Sequence, residues 1–388
     1  MKFIDLPAQQ QRIREKIESR IRTVLDHGQY VSGPEIETLE AELAAYAGTK
    51  YAIACSSGTD ALLLALMAHG IGPGDAVITT PFTFVATAGP IALLGAVPVF
   101  ADIDPLTFNI DPSRVEAVVE SFFTDGAGGR AADGNIRGRG LKLRGIIGVD
   151  LFGLPADYSR ICAIARKYGL FVIEDAAQSF GARYLDKRAG ALAEIGCTSF
   201  FPAKPLGAYG DGGMCFTDDE ALAEKIRSIR IHGQGSDKYE NVRIGINGRL
   251  DTLQAAVLLA KMEIFPEELE LREEKAQRYR TLLGGTDSPV TCPRIPDGYA
   301  SAWAQYSVLA REGIGRSDLL AKLKAADIPT AVYYPKPLHL QGAFAGLGYR
   351  PGDFPVSEDC AARIFSLPMN PYLTGEDQEK IASILKRP

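Results

Sequence analysis

A chain of 388 residues, 46% hydrophobic and 23% charged, has room for one large domain and a smaller one around ordinary apolar cores. Its formal net charge of -6 offers no basic field for nucleic acid, and no apolar run approaches the roughly 20 residues of a membrane span. Four histidines outside any metal-ligand spacing set metal catalysis aside, and six dispersed cysteines without a CxxC pair read as reduced thiols of a cytoplasmic protein.

The charged start, MKFIDLPAQQQRIREK, lacks the apolar stretch of a signal peptide. Residues 9–26 place Ile13, Ile17, Ile21 and Leu25 at helical spacing, and a second helix follows through Leu39, Leu43 and Tyr46. Tyr51 to Ala54 reads as a short buried strand. It leads into Ser56-Ser57-Gly58-Thr59-Asp60 and then a helix, Ala61 to Ala68, apolar nearly all round. Small hydroxyl and glycine residues at a helix start fit two roles. Ser57 or Thr59 can cap the helix, or the free N–H groups can hold an anion.

Strands and helices then alternate: strand Ala76 to Thr80, a turn at Pro81-Phe82-Thr83-Phe84 into a helix ending near Gly95, and strand Val97 to Ala101. This order implies a mostly parallel sheet covered by helices. Residues 124–140, rich in glycine and charge, read as an exposed loop. The sheet resumes at Arg144 to Leu151, a helix covers Tyr158 to Tyr168, and strand Leu170 to Ile173 runs into Glu174-Asp175-Ala176-Ala177-Gln178. A carboxylate at the carboxyl end of such a strand is well placed for a ligand.

The stretch TSFFPAKPLGAYGDGG, Thr198 to Gly213, is the centre of the reading. Lys204 sits between Pro202 and Pro205, which stiffen the turn, and the glycines that follow allow close backbone approach. Beyond it come strand Met214 to Thr217, helix Asp219 to Arg230, and the loop Ile231 to Gly248 with His232, Arg243 and Asn247. A helix from Arg249 to Ile264 and another from Glu267 to Leu283 follow. After about Thr286 strand-like WAQYSVLA, helix Asp318 to Ala326, strand-like PTAVYYP and two further helices suggest an α+β lobe. The expected division is 1–265 for a large domain and 266–388 for a connecting helix with a smaller C-terminal domain.

Gly58-Thr59, Phe84, Asp175, Gln178, Ser199 and Lys204 together suit an aromatic phosphate carrying an aldehyde and a ring nitrogen. The lysine can bond the aldehyde, and the carboxylate can keep the ring nitrogen protonated so that the ring accepts electrons. Pyridoxal phosphate (PLP) has all of these features.

The motifs FIDLPAQQ, SSGTDAL, TPFTFVAT, EDAAQSFGA, SFFPAKPLGAYGDGG, GINGRLDTLQAA and YYPKPLHLQ, spread nearly end to end, resemble the DegT/StrS-type nucleotide-sugar aminotransferases. The resemblance implies an α/β protein of PLP fold type I, like aspartate aminotransferase: a mostly parallel seven-stranded sheet between helices, plus a small α+β domain. It implies that Lys204 carries the cofactor, Asp175 pairs with the ring nitrogen, Gln178 faces the phenolic oxygen and Phe84 stacks on the ring. Gly58, Thr59 and Ser199 then hold phosphate, and Asn247 reaches it from a partner subunit, making a homodimer with shared sites. Arg249, Tyr334 and His339 are the implied substrate contacts; packing of the lobe interface is the other reading for His339.

The implied reaction is transamination of a nucleotide-linked keto-sugar, with glutamate as donor, for surface polysaccharide or amino-sugar synthesis. The wording is most similar to enzymes of UDP-linked 3-keto-2-acetamido sugars, including the uronic acid, with dTDP-linked 3-keto sugars as the alternative. A PLP-dependent sugar dehydratase is disfavoured because such relatives carry histidine where this chain has Lys204. A PLP-binding regulatory protein without turnover is the alternative from another class. One departure stands out. The family segment VHLYGQ is here Val149-Asp150-Leu151-Phe152-Gly153-Leu154.

Overall fold

The protein is described by a computed structural model over residues 1–124, 140–237 and 239–387. The loop expected at 124–140 therefore lies almost wholly outside the described residues. A seven-stranded sheet forms the centre, in spatial order Tyr51–Cys55, Gly213–Thr217, Ile195–Ser199, Phe171–Asp175, Lys142–Val149, Asp75–Thr79 and Val97–Phe100. Pairing is parallel from Ile195–Ser199 across to Val97–Phe100 and antiparallel on both sides of Gly213–Thr217. Two reversals restore direction, so Tyr51–Cys55 runs parallel to the main set.

The strands are buried on both faces, which is why they read as continuous apolar runs. On the edge pair the two-residue period is plain. Ile53, Cys55 and Cys215 face the helices Gly58–Ala68 and Glu220–Arg230, while Ala52, Ala54, Met214 and Phe216 face Pro34–Ala47 and Thr252–Met262. A helix not foreseen from the sequence, Pro112–Thr124, buries Val115 and Val119 beside Ile161 and Ala165 of helix Tyr158–Tyr168. Its apolar residues do fall at helical spacing.

The C-terminal lobe is a three-stranded antiparallel sheet of Val290–Thr291, Tyr306–Ala310 and Ile364–Leu367, packed against helices Phe265–Leu283, Arg316–Ala325 and Gly375–Lys386 around Tyr279, Trp303 and Tyr306. The expected strand PTAVYYP is absent. It contributes a single bridge, Ala331 to Ser366. Pro329 and Pro335 remove donors from that segment, and Ile364–Leu367 occupies the sheet position instead.

The lobe is anchored to the large sheet in two ways. Phe344, Tyr349 and Phe354 pack on Phe100, and Asp102 accepts from the N–H groups of Val356 and Ser357, both at 3.0 Å, capping helix Pro355–Arg363 from across the interface.

Candidate active site

Strand direction brings Cys55, Ser199 and Asp175 to one edge of the sheet. Gly213 lies between Cys55 and Ser199 in the register, so the first strand delivers the start of helix Gly58–Ala68 beside Ser199. Ser57 caps that helix by accepting from Asp60 N at 3.0 Å, and its hydroxyl donates back to Asp60 Oδ2 at 2.9 Å. Capping thus takes one donor. The N–H groups of Gly58 and Thr59 have no acceptor among the described residues and face outward with the helix dipole. A Cβ on Gly58 would fall 2.6 Å from Ser199 Cβ, so glycine is required for this close approach. The capping reading holds for Ser57, and the next two amides with the Ser199 hydroxyl leave donors that could hold an anion.

Asp175 ends its strand with 6% exposure. Its Oδ2 accepts from Thr87 Oγ1 at 2.7 Å and its Oδ1 from Ala177 N at 3.2 Å. Burial pushes its carboxyl up, while Thr87, Ala177 and the charge of Lys204 oppose that rise. Lys204 sits in the turn after Ile195–Ser199, with Lys204 N bonded to Phe201 O at 2.9 Å. Desolvation draws its ammonium below the usual lysine range, and Asp175 partly restores it.

Gln178 spends its carbonyl on Phe152 N (2.7 Å) and one amide proton on the hydroxyl of Tyr334 (3.2 Å), leaving the second proton free. Tyr334 stands between Phe82 and Phe84, with ring centres 6.4 and 6.2 Å away. The Phe84 ring is 55% exposed at the head of helix Val85–Leu93.

The segment of Asn247 and Arg249 runs beside the helix start, with Gly248 O accepting from Ser56 N at 2.9 Å. Asn247 is exposed and Arg249 half-buried, and neither side chain has a hydrogen-bond partner among the described residues. His339 is turned into the lobe. Its side chain has 0% exposure, Nε2 lies 3.0 Å from Glu358 Oε1, and the ring packs 4.7 Å from Phe354. A group buried within one chain stays buried in any assembly, so this imidazole meets no substrate in the arrangement seen. The reading that packs it into the lobe interface fits instead.

Sequence reasoning passed over Thr83 and Thr87, although both stand in TPFTFVAT one helical turn apart. It also passed over the pairing of Asp150 with Glu174. Both carboxyls are 0% exposed, burial pushes both up, and each acts on the other. Asp150 also accepts from Tyr158 OH (2.8 Å) and Ser179 Oγ (2.7 Å), and Glu174 from Gly190 N (2.7 Å) and Leu192 N (2.9 Å). The pair joins the end of strand Lys142–Val149 to strand Phe171–Asp175, whose end and following turn bear Asp175 and Gln178.

The sequence model of the DegT/DnrJ/EryC1/StrS aminotransferase family matches residues 11–386. The chain belongs to that family. It is 48% identical over 96% of each chain to the UDP-2-acetamido-2-deoxy-3-oxo-D-glucuronate aminotransferase of Pseudomonas aeruginosa. A DegT/DnrJ/EryC1/StrS aminotransferase from Brucella abortus superposes with a TM-score of 0.92 at 48% identity, covering 100% of this chain and 98% of that one. NtdA of Bacillus subtilis, solved with bound cofactor PMP, gives 0.85 at 31% identity over 99% and 82%.

This DegT/DnrJ/EryC1/StrS protein is therefore a PLP-dependent aminotransferase of PLP fold type I. The residues present fit PLP: an anion cradle shaped by glycine, a buried carboxylate with hydrogen-bonded support, an amine depressed by burial and an open aromatic face. No helix among the described residues is long and apolar enough to cross a membrane.

Proposed function

We propose that the protein moves an amino group from an amino acid, glutamate, to a UDP-linked 2-acetamido-3-keto sugar or its uronic acid, serving amino-sugar or surface-polysaccharide synthesis. The observation that carries the reading is Lys204 and Asp175 within each other's electrostatic reach at the strand ends beside the Gly58–Ser199 approach, in a chain 48% identical to the P. aeruginosa glucuronate aminotransferase.

When bound, PLP supplies an electron sink conjugated to the substrate carbon. Gly58, Thr59 and Ser199 hold its phosphate in this proposal, Phe84 covers one face of its ring, and the free amide proton of Gln178 meets its phenolic oxygen. Asp175 keeps the ring nitrogen protonated, and its own ionised form is supported by Thr87 and Ala177. The depressed Lys204 amine would accept the proton from the amino-acid α-carbon and return it to the cofactor carbon on the far side of the nitrogen, work typically worth about 10²–10⁴-fold. Tyr334, braced by Phe82, holds Gln178 in place and borders the substrate side.

The site is completed by a second copy. Supporting this, the side chains of Asn247 and Arg249 have no hydrogen-bond partner among the described residues, and Val242 and Ile244 on the same loop are 51% and 87% exposed. In the dimer Asn247 reaches the partner's phosphate and Arg249 the substrate. The six free cysteines suit a cytoplasmic setting.

The test is a panel of UDP- and dTDP-linked 3-keto sugars, with and without the 6-carboxylate, given glutamate as donor and followed by 2-oxoglutarate. Turnover confined to UDP sugars supports the reading; preference for dTDP sugars, or no turnover with cofactor bound, replaces it.

A further inference from the structure

Behind the turn that carries Lys204 lies helix Thr252–Met262, and two side chains on one face of it, at i and i+7, grip that turn. Gln254 Oε1 accepts from Tyr209 N at 2.8 Å. The Lys261 ammonium donates to Gly207 O at 2.6 Å and lies 4.5 Å from the centre of the Tyr209 ring. Lys261 is 1% exposed, and Glu268 acts on it only through space. Burial draws its ammonium down to about 8, with Glu268 working the other way. Holding a lysine at such depth is costly unless its bonds matter to the surroundings.

Those surroundings are rigid and lead to one group. The turn is closed by Ala208 N donating to Phe200 O at 2.7 Å, and a Cβ on Gly207 would come 2.5 Å from Pro202 O. The backbone of Gly207 thus lies directly against that of Pro202, the residue two before Lys204. Lys204 itself responds electrostatically to burial and to Asp175. The influence of Lys261 therefore travels through the backbone of the turn.

We propose that Lys261 is a positioning residue for Lys204: by clamping the Gly207 carbonyl and the Tyr209 ring it fixes the turn in the arrangement that keeps the Lys204 amine within reach of the Asp175 charge. The inference rests on Lys204 being the cofactor-bearing lysine.

The experiment uses purified holoenzyme of the wild type and of Lys261→Met, Lys261→Arg, Tyr209→Phe and Tyr209→Leu, each checked for fold by circular dichroism. Two readouts besides turnover are taken: the rate at which borohydride fixes the cofactor to the Lys204 peptide, and the pH midpoint of the cofactor absorbance. Removing a charge-assisted bond from the turn is expected to slow fixation in Lys261→Met by about tenfold and to move the midpoint. Its kcat falls by about the same factor with little change in donor KM. Lys261→Arg keeps donor and charge and recovers most of the loss. Tyr209→Phe keeps the ring face and behaves as wild type, whereas Tyr209→Leu shows a smaller shift in the same direction and stands in if Lys261→Met does not fold. Wild-type fixation rate and midpoint in folded Lys261→Met, or in Tyr209→Leu where the former does not fold, overturn the proposal even if thermal stability drops. Fixation of wild type at a lysine other than Lys204 instead removes the reading underneath it.

Discussion

Thr87 donates its hydroxyl to Asp175 Oδ2 at 2.7 Å while sitting 3.0 Å from the hydroxyl of Thr83. Because Asp175 can only accept when ionised, the proton order runs Thr83 to Thr87 to Asp175. The relay fixes the carboxylate edge and favours its charged form against burial, which pushes the other way.

Thr87→Val breaks that relay without touching cofactor. A hydrogen bond to a charged group is worth about 1.5–3 kcal/mol, so kcat is expected to fall roughly 10- to 100-fold. Asp175→Ala is expected to fall much further while still retaining cofactor through the cradle. Steady-state turnover and equilibrium dialysis of PLP check both; unchanged turnover in Asp175→Ala means another group protonates the ring.

Lys204→Ala is expected to abolish borohydride fixation altogether. Peptide mass mapping of the reduced wild type finds the label on the segment from Thr198 to Gly213. A label on Lys261, the buried lysine behind this turn, would reassign the chemistry.

The proposed sharing of sites between two copies predicts complementation. Lys204→Ala and Asn247→Ala homodimers are each weak, and mixing them through mild denaturation yields heterodimers with one intact site. Activity then rises toward about a quarter of wild type for random reassortment, as two-fold symmetry requires. No recovery in a verified heterodimer places Asn247 outside the partner's site.

His339→Ala should act on stability rather than on substrate. It removes a fully buried ring from between Phe354 and Tyr349 and takes a partner from Glu358, which also accepts from Gly352 N at 2.8 Å. A loss of about 2–4 kcal/mol is expected in urea unfolding, with both half-reactions retained in the folded fraction. Selective loss of the nucleotide-sugar half-reaction would return the imidazole to substrate contact.

The Asp150–Glu174 pair makes stability depend on pH. Burial pushes both carboxyls up, Asp150 to about 7, against an ordinary value of about 4. The folded state therefore keeps a proton that the unfolded chain releases. The contribution is complete below about pH 4 and is lost as pH rises through about 7, at up to about 1.4 kcal/mol per unit. Unfolding of Asp150→Asn/Glu174→Gln compared with wild type at pH 5 and pH 8 should show the variant gaining relative stability at the higher pH. A constant difference would mean the pair carries no proton.

What the sequence reveals here is what neighbouring residues decide together. Pro202 and Pro205 around Lys204, and the Ser57 cap before Gly58-Thr59, are local features whose geometry follows from backbone restriction. Asp150 with Glu174 was not legible, because only the side-by-side register of Val149 with Asp175 reveals that the two carboxyls meet. His339 follows a proline turn that fixes the backbone but not the direction of the ring, and Glu358 decides that from another helix. The β-branched and aromatic residues of PTAVYYP imitate a strand, whereas Ile364–Leu367 is too short to show a period. Composition favoured the wrong one.

The first strand, Tyr51–Cys55, has one strand neighbour, Gly213–Thr217, and lies at the edge of the sheet. During synthesis it leaves the ribosome long before that neighbour exists. Its apolar faces and unpaired backbone then wait while most of the large domain is translated. The proposed phosphate cradle, which needs Gly58 and Ser199 together, is equally late, so in that proposal the nascent chain has nothing with which to capture cofactor. Chains cut short before Met214 should therefore aggregate whatever the vitamin supply, and added pyridoxine should raise the occupancy of finished protein without raising the amount that folds.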